Sequence, residues 1–446
     1  MNILYFHQHF STPKGSTGIR SYEMAKRLIH HGHNVTMVCG TYGGGETGLD
    51  SVFTKGKREG IVDCIRIIEF DLAYSNSDGF FKRSMTFVKF ALKSIGLAFT
   101  EKYDVLFATT TPLTAGVPGI FARWLRGKPF VFEVRDLWPE LPKEMGVIKN
   151  PVILALMSFL EWASYRSAHR CIGLSPGIVE GIKKRGVDES KITMVPNGCD
   201  LSIFSQPSEL WRPEGVKDND LMAIFTGTHG MANGLNAVLD TAVELRKRGR
   251  EDIKLVLVGQ GKLKPELEKR AAELTLDNVV FHPPVNKEKL SGLMASADVG
   301  MQLLANIPAF YYGTSPNKFF DYISAGLPVI NNYPGWLAGM IEQTQCGFSV
   351  QPEDPKAFAD ALENAADQRE TLAKMGVNAR QLAESQFDRA LLADKWVEWV
   401  TNVNATDANE LGDFGERTPK GIERKQSERS QCPTRNINYL EFLVEG

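Results

Sequence analysis

Tyr311-Tyr312-Gly313-Thr314-Ser315-Pro316-Asn317-Lys318-Phe319-Phe320-Asp321-Tyr322-Ile323-Ser324-Ala325-Gly326-Leu327-Pro328-Val329-Ile330-Asn331 reads as a helix start, a short helix, a stop and an apolar strand in direct succession. Ser315 is of the type that caps helices, and Pro316 suits a first helical position because its φ is fixed and no donor is lost. Residues 317–324 then form a helix that Ala325-Gly326 ends, and residues 327–330 have the composition of a buried strand. The first N–H groups of a helix lack partners and carry roughly half a positive charge, which favours phosphate; Lys318 adds a cation. Asp321 lies one turn further on, where a carboxylate reaches a hydroxyl. Phosphate at the helix mouth and hydroxyls one turn in describe a nucleoside diphosphate with its ribose. A capped helix feeding a core strand has the same local signature, so the remainder of the chain decides between the two.

That remainder alternates strand and helix. Strands are expected at 2–6, 34–39, 61–70, 105–108, 129–134 and 171–174, with helices at 21–31, 115–125, 152–168 and 177–185. In the first helix Tyr22, Met24, Ala25, Leu28 and Ile29 recur at helical spacing. Strand, helix, strand within one short unit implies a parallel sheet. A second series follows, with strands at 221–226, 253–258, 279–281 and 299–302 and helices at 237–247, 264–274 and 287–295. The expectation is therefore α/β, with two doubly wound Rossmann-like domains, 1–204 and 221–386, joined by a Pro-, Ser- and charge-rich linker over 205–220. Ligands of such sheets sit at the carboxyl ends of the strands, which places the site in the cleft between the domains. A helix over 387–402 is expected to cross back to the first domain, and 403–446 reads as a polar, disordered tail. The apolar run 439–444 within it has no assignable role.

Composition limits the function classes. A chain of 446 residues exceeds one comfortable core, and 43% hydrophobic with 23% charged residues is ordinary for a soluble globular protein. A net charge of −2 gives no case for nucleic acid as a partner. The cysteines (Cys39, Cys64, Cys171, Cys199, Cys346, Cys432) form no CxxC and have no histidines at metal spacing, which fits a reducing compartment and argues against structural zinc. No leader is expected, because residues 2–6 read directly as a strand. The longest apolar run, 151–157, falls short of the ~20 residues a membrane span needs. A cytoplasmic location is the expectation. Gly43-Gly44-Gly45-Glu46-Thr47-Gly48 matches a dinucleotide-binding pattern in letters, but no helix signal follows it. Asp218-Asn219-Asp220 resembles a metal-binding Asp-x-Asp, yet it falls in the linker and reads as a turn. No P-loop is present.

Six segments, in order, then carry a resemblance. They are His9-Phe10 with residues 15–20; Phe132-Glu133-Val134-Arg135-Asp136-Leu137-Trp138-Pro139-Glu140; Val195-Pro196-Asn197-Gly198-Cys199-Asp200 with Phe204; Gly227-Thr228-His229-Gly230; Val258-Gly259-Gln260-Gly261; and the stretch at 311–331. Together they resemble the family 4 retaining glycosyltransferases of the GT-B fold, and most nearly the N-acetyl-fucosamine-type transferases of bacterial O-antigen and capsule assembly. The resemblance covers residues 1 to about 400. Family members carry a Glu-x7-Glu pair across the diphosphate helix; here Gly313 holds the first position and Asp321 the second. Tyr311, Tyr312 and Thr314 are the candidates to cover the missing carboxylate. The loop that opens the second domain usually has an Arg and a Lys, and here offers only His229 as a titratable group.

The resemblance implies transfer of a hexose-type sugar from a nucleotide diphosphate, UDP foremost, to a glycan hydroxyl, with retention and with no cofactor or essential metal. It implies Asp136, Arg135 and His9 as catalytic candidates. For the donor diphosphate it implies Gly15, Gly18, Arg20, His229, Ser315, Asn317 and Lys318, and for ribose and base Asp321, Gly259, Gly261 and Pro284. Asp136 is also open to a strand-end turn role, and His9 equally to that of a packed loop histidine. The competing reaction class is a nucleotide-sugar epimerase on the same kind of fold. The implied acceptor is a glycan on a polyprenyl diphosphate at the cytoplasmic face of the inner membrane. Residues 80–99 suit that setting: Phe80, Phe81, Phe87, Phe90 and Phe99 alternate with Lys82, Arg83, Lys89 and Lys93, and no acidic residue lies between Asp78 and Glu101. On a helix Lys82, Lys89 and Lys93 share nearly one face, which fits peripheral contact with an anionic membrane. A core-packed helix with snorkelling lysines is the alternative.

Overall fold

A computed structural model describes residues 1–15, 17–75, 78–205 and 209–403. The tail beyond 403, with its 439–444 run, lies outside the described residues, as do Ser16 of the glycine loop and 206–208 of the linker.

The first half runs β1 (Asn2–Phe6), α1 (Arg20–His30), β2 (Asn34–Tyr42), β3 (Lys57–Val62), β4 (Ile65–Tyr74), α2 (Phe80–Thr100), β5 (Val105–Thr109), α3 (Val117–Arg126), β6 (Phe130–Val134), α4 (Glu140–Glu144), α5 (Pro151–Ser167), β7 (Arg170–Gly173), α6 (Pro176–Lys184), β8 (Ile192–Met194) and α7 (Leu201–Ser205). The second runs β9 (Leu221–Thr226), α8 (Asn236–Lys247), β10 (Ile253–Val258), α9 (Lys264–Glu273), β11 (Val279–His282), α10 (Lys287–Ser296), β12 (Val299–Gln302), α11 (Pro308–Gly313), α12 (Asn317–Ser324), β13 (Val329–Asn331), α13 (Trp336–Thr344), β14 (Gly347–Ser349), α14 (Pro355–Asp367), α15 (Arg369–Gln386) and α16 (Arg389–Thr401).

The strands form one eight-stranded sheet, β3-β4-β2-β1-β5-β6-β7-β8, and one six-stranded sheet, β11-β10-β9-β12-β13-β14. Order reverses beside β1 and beside β9, so both sheets are doubly wound. All pairings are parallel except β3 with β4. The single strand expected at 61–70 is this hairpin: Asp63 and Cys64 take φ of 49° and 66°, the left-handed geometry of a tight turn between twisted strands. The next element after Gly43–Gly48 is β3, so those glycines open no phosphate-binding helix. Asp220 closes a turn, its carboxylate accepting from the Lys217 amide at 2.8 Å.

Each sheet is covered on both faces, and its central strands are predominantly apolar because they are shielded from water. In the first half α1 and α16 cover one face, with Met24, Leu28, Trp396 and Val400 in the core. The other face lies under α2, α3, α5 and α6, through Phe90, Ala122, Tyr165 and Ile178. Trp396 packs against Tyr5 and Phe107. α16 thus belongs to the core of the first half although it follows the second in sequence.

The chain passes between the halves twice, and the passages lie side by side. The Cys199 amide donates to Phe387 O at 2.7 Å and the Arg389 amide to Cys199 O at 3.2 Å. Arg389 also pairs with Asp200 and donates to Gly198 O.

Candidate functional site

In the first half, β1 ends at Phe6 and hands the chain to His7, Gln8 and His9; β6 ends at Val134 and presents Arg135 and Asp136 beside them. Arg135 Nη1 donates to His7 Nε2 at 3.3 Å. Burial, then the Arg135 charge, keep His7 neutral, its pKa well below the usual range. Asp136 Oδ2 accepts from the Thr111 hydroxyl at 3.1 Å, and burial pushes its carboxyl up against that pull. His9 lies against both Tyr42 and Tyr74, centroids 4.8 and 4.4 Å away, with Phe87 of α2 further off. Burial lowers its pKa to about 4, and its Nε2 has no hydrogen-bond partner. Both polar atoms of the buried Gln8 amide are also unpartnered. Orphaned buried polar atoms at a strand-end edge suit a ligand rather than a core.

In the second half, Lys318 lies in the first turn of α12. Its Nζ donates to Asn233 Oδ1 at 3.0 Å and sits 5.0 Å above the Phe225 ring. Burial lowers its pKa to about 8, with Asp321 opposing the shift. Asp321 is pushed up to about 6 by burial and then by Asp200, against Lys287, Arg389 and Lys318. Lys287 begins α10, directly after the turn that carries the exposed Pro284.

The two halves meet at this helix start. A Cβ on Gly18 would lie 3.5 Å from Asn317 Nδ2, so the chain at Gly18 touches the mouth of α12. Asn197, after β8, donates from its amide to Ser315 Oγ at 3.0 Å and from Nδ2 to Ser315 O at 2.6 Å. Alongside, a Cβ on Gly177 would fall 2.5 Å from the Tyr312 carbonyl, so α6 needs a glycine to admit α11.

Several expectations change. Ser315 does not cap α12: the residue before the helix is Pro316, and no side chain caps it, because the Ser315 hydroxyl accepts from Asn197 instead. Arg20 does not reach the helix mouth as a free cation. It is 2% exposed, with Nε and Nη2 on Glu133 and Nη1 and Nη2 on the carbonyls of Pro196 and Val195. His229 brings no charge, since burial lowers its pKa to about 4, and neither ring nitrogen has a partner. Gly259 and Gly261 have a packing reason of their own. Cβ atoms there would lie 1.9 Å from Gly227 O and 2.4 Å from His229 O, so only glycines let the loops after β9 and β10 approach. A Cβ on Gly15 would likewise meet Ser11 Oγ at 2.2 Å. The sequence reading missed His7, Gln8, Thr111, Asn197 and Asn233 as site residues; for Asn197 the signal was its place in the 195–200 segment. Among the described residues no three His, Cys, Asp or Glu side chains gather as a metal site.

Two Rossmann-like domains whose strand-end loops meet at a cation-bearing helix start define the GT-B architecture. Residues 15–198 match the family model "Glycosyl transferase 4-like domain" and residues 208–382 the model "Glycosyl transferases group 1". The first half of the chain thus matches one glycosyltransferase domain model and the second half another. It is 24% identical over 261 residues to the O-antigen chain mannosyltransferase C of Escherichia coli, covering 58% of this chain and 67% of that one. To a D-inositol 3-phosphate glycosyltransferase of Paenarthrobacter aurescens it is 30% identical over 240 residues, 50% of this chain and 56% of the relative. The chain spans about half the length of several further curated relatives. HepE of Anabaena, solved in complex with UDP, superposes with a TM-score of 0.63 at 18% identity, covering 90% of this chain and all of that one.

Proposed function

We propose that the protein transfers a hexose-type sugar from a UDP-sugar to a hydroxyl of a growing cell-surface glycan, with retention of anomeric configuration. The observation that carries this reading is the contact of Gly18 with the start of α12 beside the desolvated Lys318. As the glycosidic bond breaks, negative charge builds on the leaving diphosphate, and fixed positive potential there lowers the barrier. Lys318 and the free N–H groups of α12 supply it, with Arg135 across the cleft. Asp136 and His9 flank the sugar or acceptor hydroxyl; His9, neutral at physiological pH, serves as a hydrogen-bonding group and not as a cation. The UDP bound by HepE and the O-antigen role in the name of the mannosyltransferase relative support the donor and the glycan. The acceptor is read as polyprenyl-diphosphate-linked, held at the cytoplasmic face of the inner membrane. Incubation with UDP-sugars tests the reading: UDP release that depends on added acceptor supports it, and acceptor-free sugar epimerisation overturns it.

Two further outcomes are expected. Asp321→Ala lowers affinity for UDP and leaves pyrophosphate binding nearly unchanged, because its partners in this reading are ribose hydroxyls. Competition binding that shows equal losses for both ligands removes Asp321 from the ribose. Activity is expected to survive excess EDTA. A rate that EDTA abolishes and manganese or magnesium restores refutes metal independence.

A further inference from the structure

Among the described residues, more than half of the exposed large hydrophobic side chains lie on three helices, α2, α3 and α5. These helices form one layer, with α3 packed between the other two. On α5, Val152, Leu156, Phe159 and Trp162 recur every three to four residues and are 65%, 64%, 65% and 45% exposed. Such a stripe is the signature of a helix face with a partner. On α3, Phe121, Trp124 and Leu125 continue it, the Trp124 indole N–H held by Ser167 of α5 at 2.8 Å. On α2, Phe81, Met85, Val88, Leu92 and Phe99 are exposed beside the exposed Lys82, Lys89 and Lys93, whereas Phe90 is buried in the core.

Charge decides the occupant. α2 and α3 contain no acidic residue, and the single one of α5, Glu161, is buried and paired with Arg185. Lys149 and Arg166 add exposed positive charge at either end of α5. A second copy would meet this face through a two-fold axis and set lysines near lysines. No described helix is long and apolar enough to cross a bilayer. An anionic lipid surface suits all three facts: basic groups meet headgroups, and Trp and Phe side chains enter the acyl boundary.

We infer that α5 with α3, rather than α2, is the part that enters the membrane: the Val152–Leu156–Phe159–Trp162 stripe inserts into an anionic leaflet while the α2 lysines ride on its headgroups. The inference rests on the membrane-held acceptor for its purpose, and the test separates the two. Wild type, L156E/F159E and K82E/K89E/K93E are sedimented with phosphatidylglycerol vesicles and with phosphatidylcholine vesicles, and UDP affinity is measured in parallel. Wild type is expected on phosphatidylglycerol only. L156E/F159E should partition at least about a hundredfold more weakly, the scale of removing two buried apolar side chains, with UDP affinity kept. Should L156E/F159E bind like wild type while the lysine variant does not, α5 is not the inserting element, although membrane contact stands. Wild type that binds neither vesicle, or dimerises through this face until L156E/F159E splits it, overturns the inference and leaves the UDP-sugar reading intact. Equal binding to both vesicles overturns its charge component.

Discussion

Glu133→Gln is expected to destabilise the first half by about 3–5 kcal/mol, the usual cost of removing one partner from a buried ion pair. Every group around this carboxylate is a donor: Arg20 through Nε and Nη2, the Thr109 hydroxyl at 2.9 Å and the Trp396 indole N–H at 3.1 Å. A glutamine amide would turn an NH2 towards these donors and leave the Arg20 charge buried without a counter-ion. Burial opposes the Glu133 charge, but Arg20 and Thr109 hold its carboxyl below the usual range. Its contribution is therefore complete above the unfolded pKa and is lost as pH falls through the folded one. Urea unfolding of the variant should show the loss. Arg20→Met combined with Glu133→Leu should cost less than either change alone, because no buried charge remains. A single variant that unfolds at the wild-type midpoint would refute this account of Arg20, and with it the reason for excluding that residue from the phosphate site.

Replacement of Lys318 by Ala should weaken UDP binding by about 1–3 kcal/mol, the scale of a charge-assisted bond to a phosphate. The protein already holds this ammonium out of water, at a pKa of about 8, with one side-chain acceptor, Asn233 Oδ1. A diphosphate binds the protonated form better, so wild-type UDP affinity should decline as pH rises through about 8. The alanine variant should lack that decline. Calorimetry that finds unchanged affinity in a folded variant removes Lys318 from the diphosphate.

What the sequence disclosed follows from range of interaction. The two doubly wound sheets were legible because strand and helix periods are local, and so was the helix after Pro316. The role of Ser315 was not: its partner Asn197 lies 118 residues away, on the other half. Arg20 looked like a free cation because Glu133, its counter-ion, is 113 residues distant. The hairpin at 57–74 was hidden by Asp63 and Cys64, which make a turn without a glycine. Residues 151–157 read as an apolar run, but only the packing of α5 on its neighbours shows which side chains stay outside.

The paired passages at Cys199 and Phe387–Arg389 bear on how the two halves are joined. Because each segment hydrogen-bonds the other and Arg389 clamps Asp200, the connections are tied into one junction rather than left as two independent tethers. Any rotation between the halves would turn about this point, with α16 carried by the first half and α15 by the second. A few degrees there would become ångströms at Gly18 and the mouth of α12, while Trp396 would stay seated in its core.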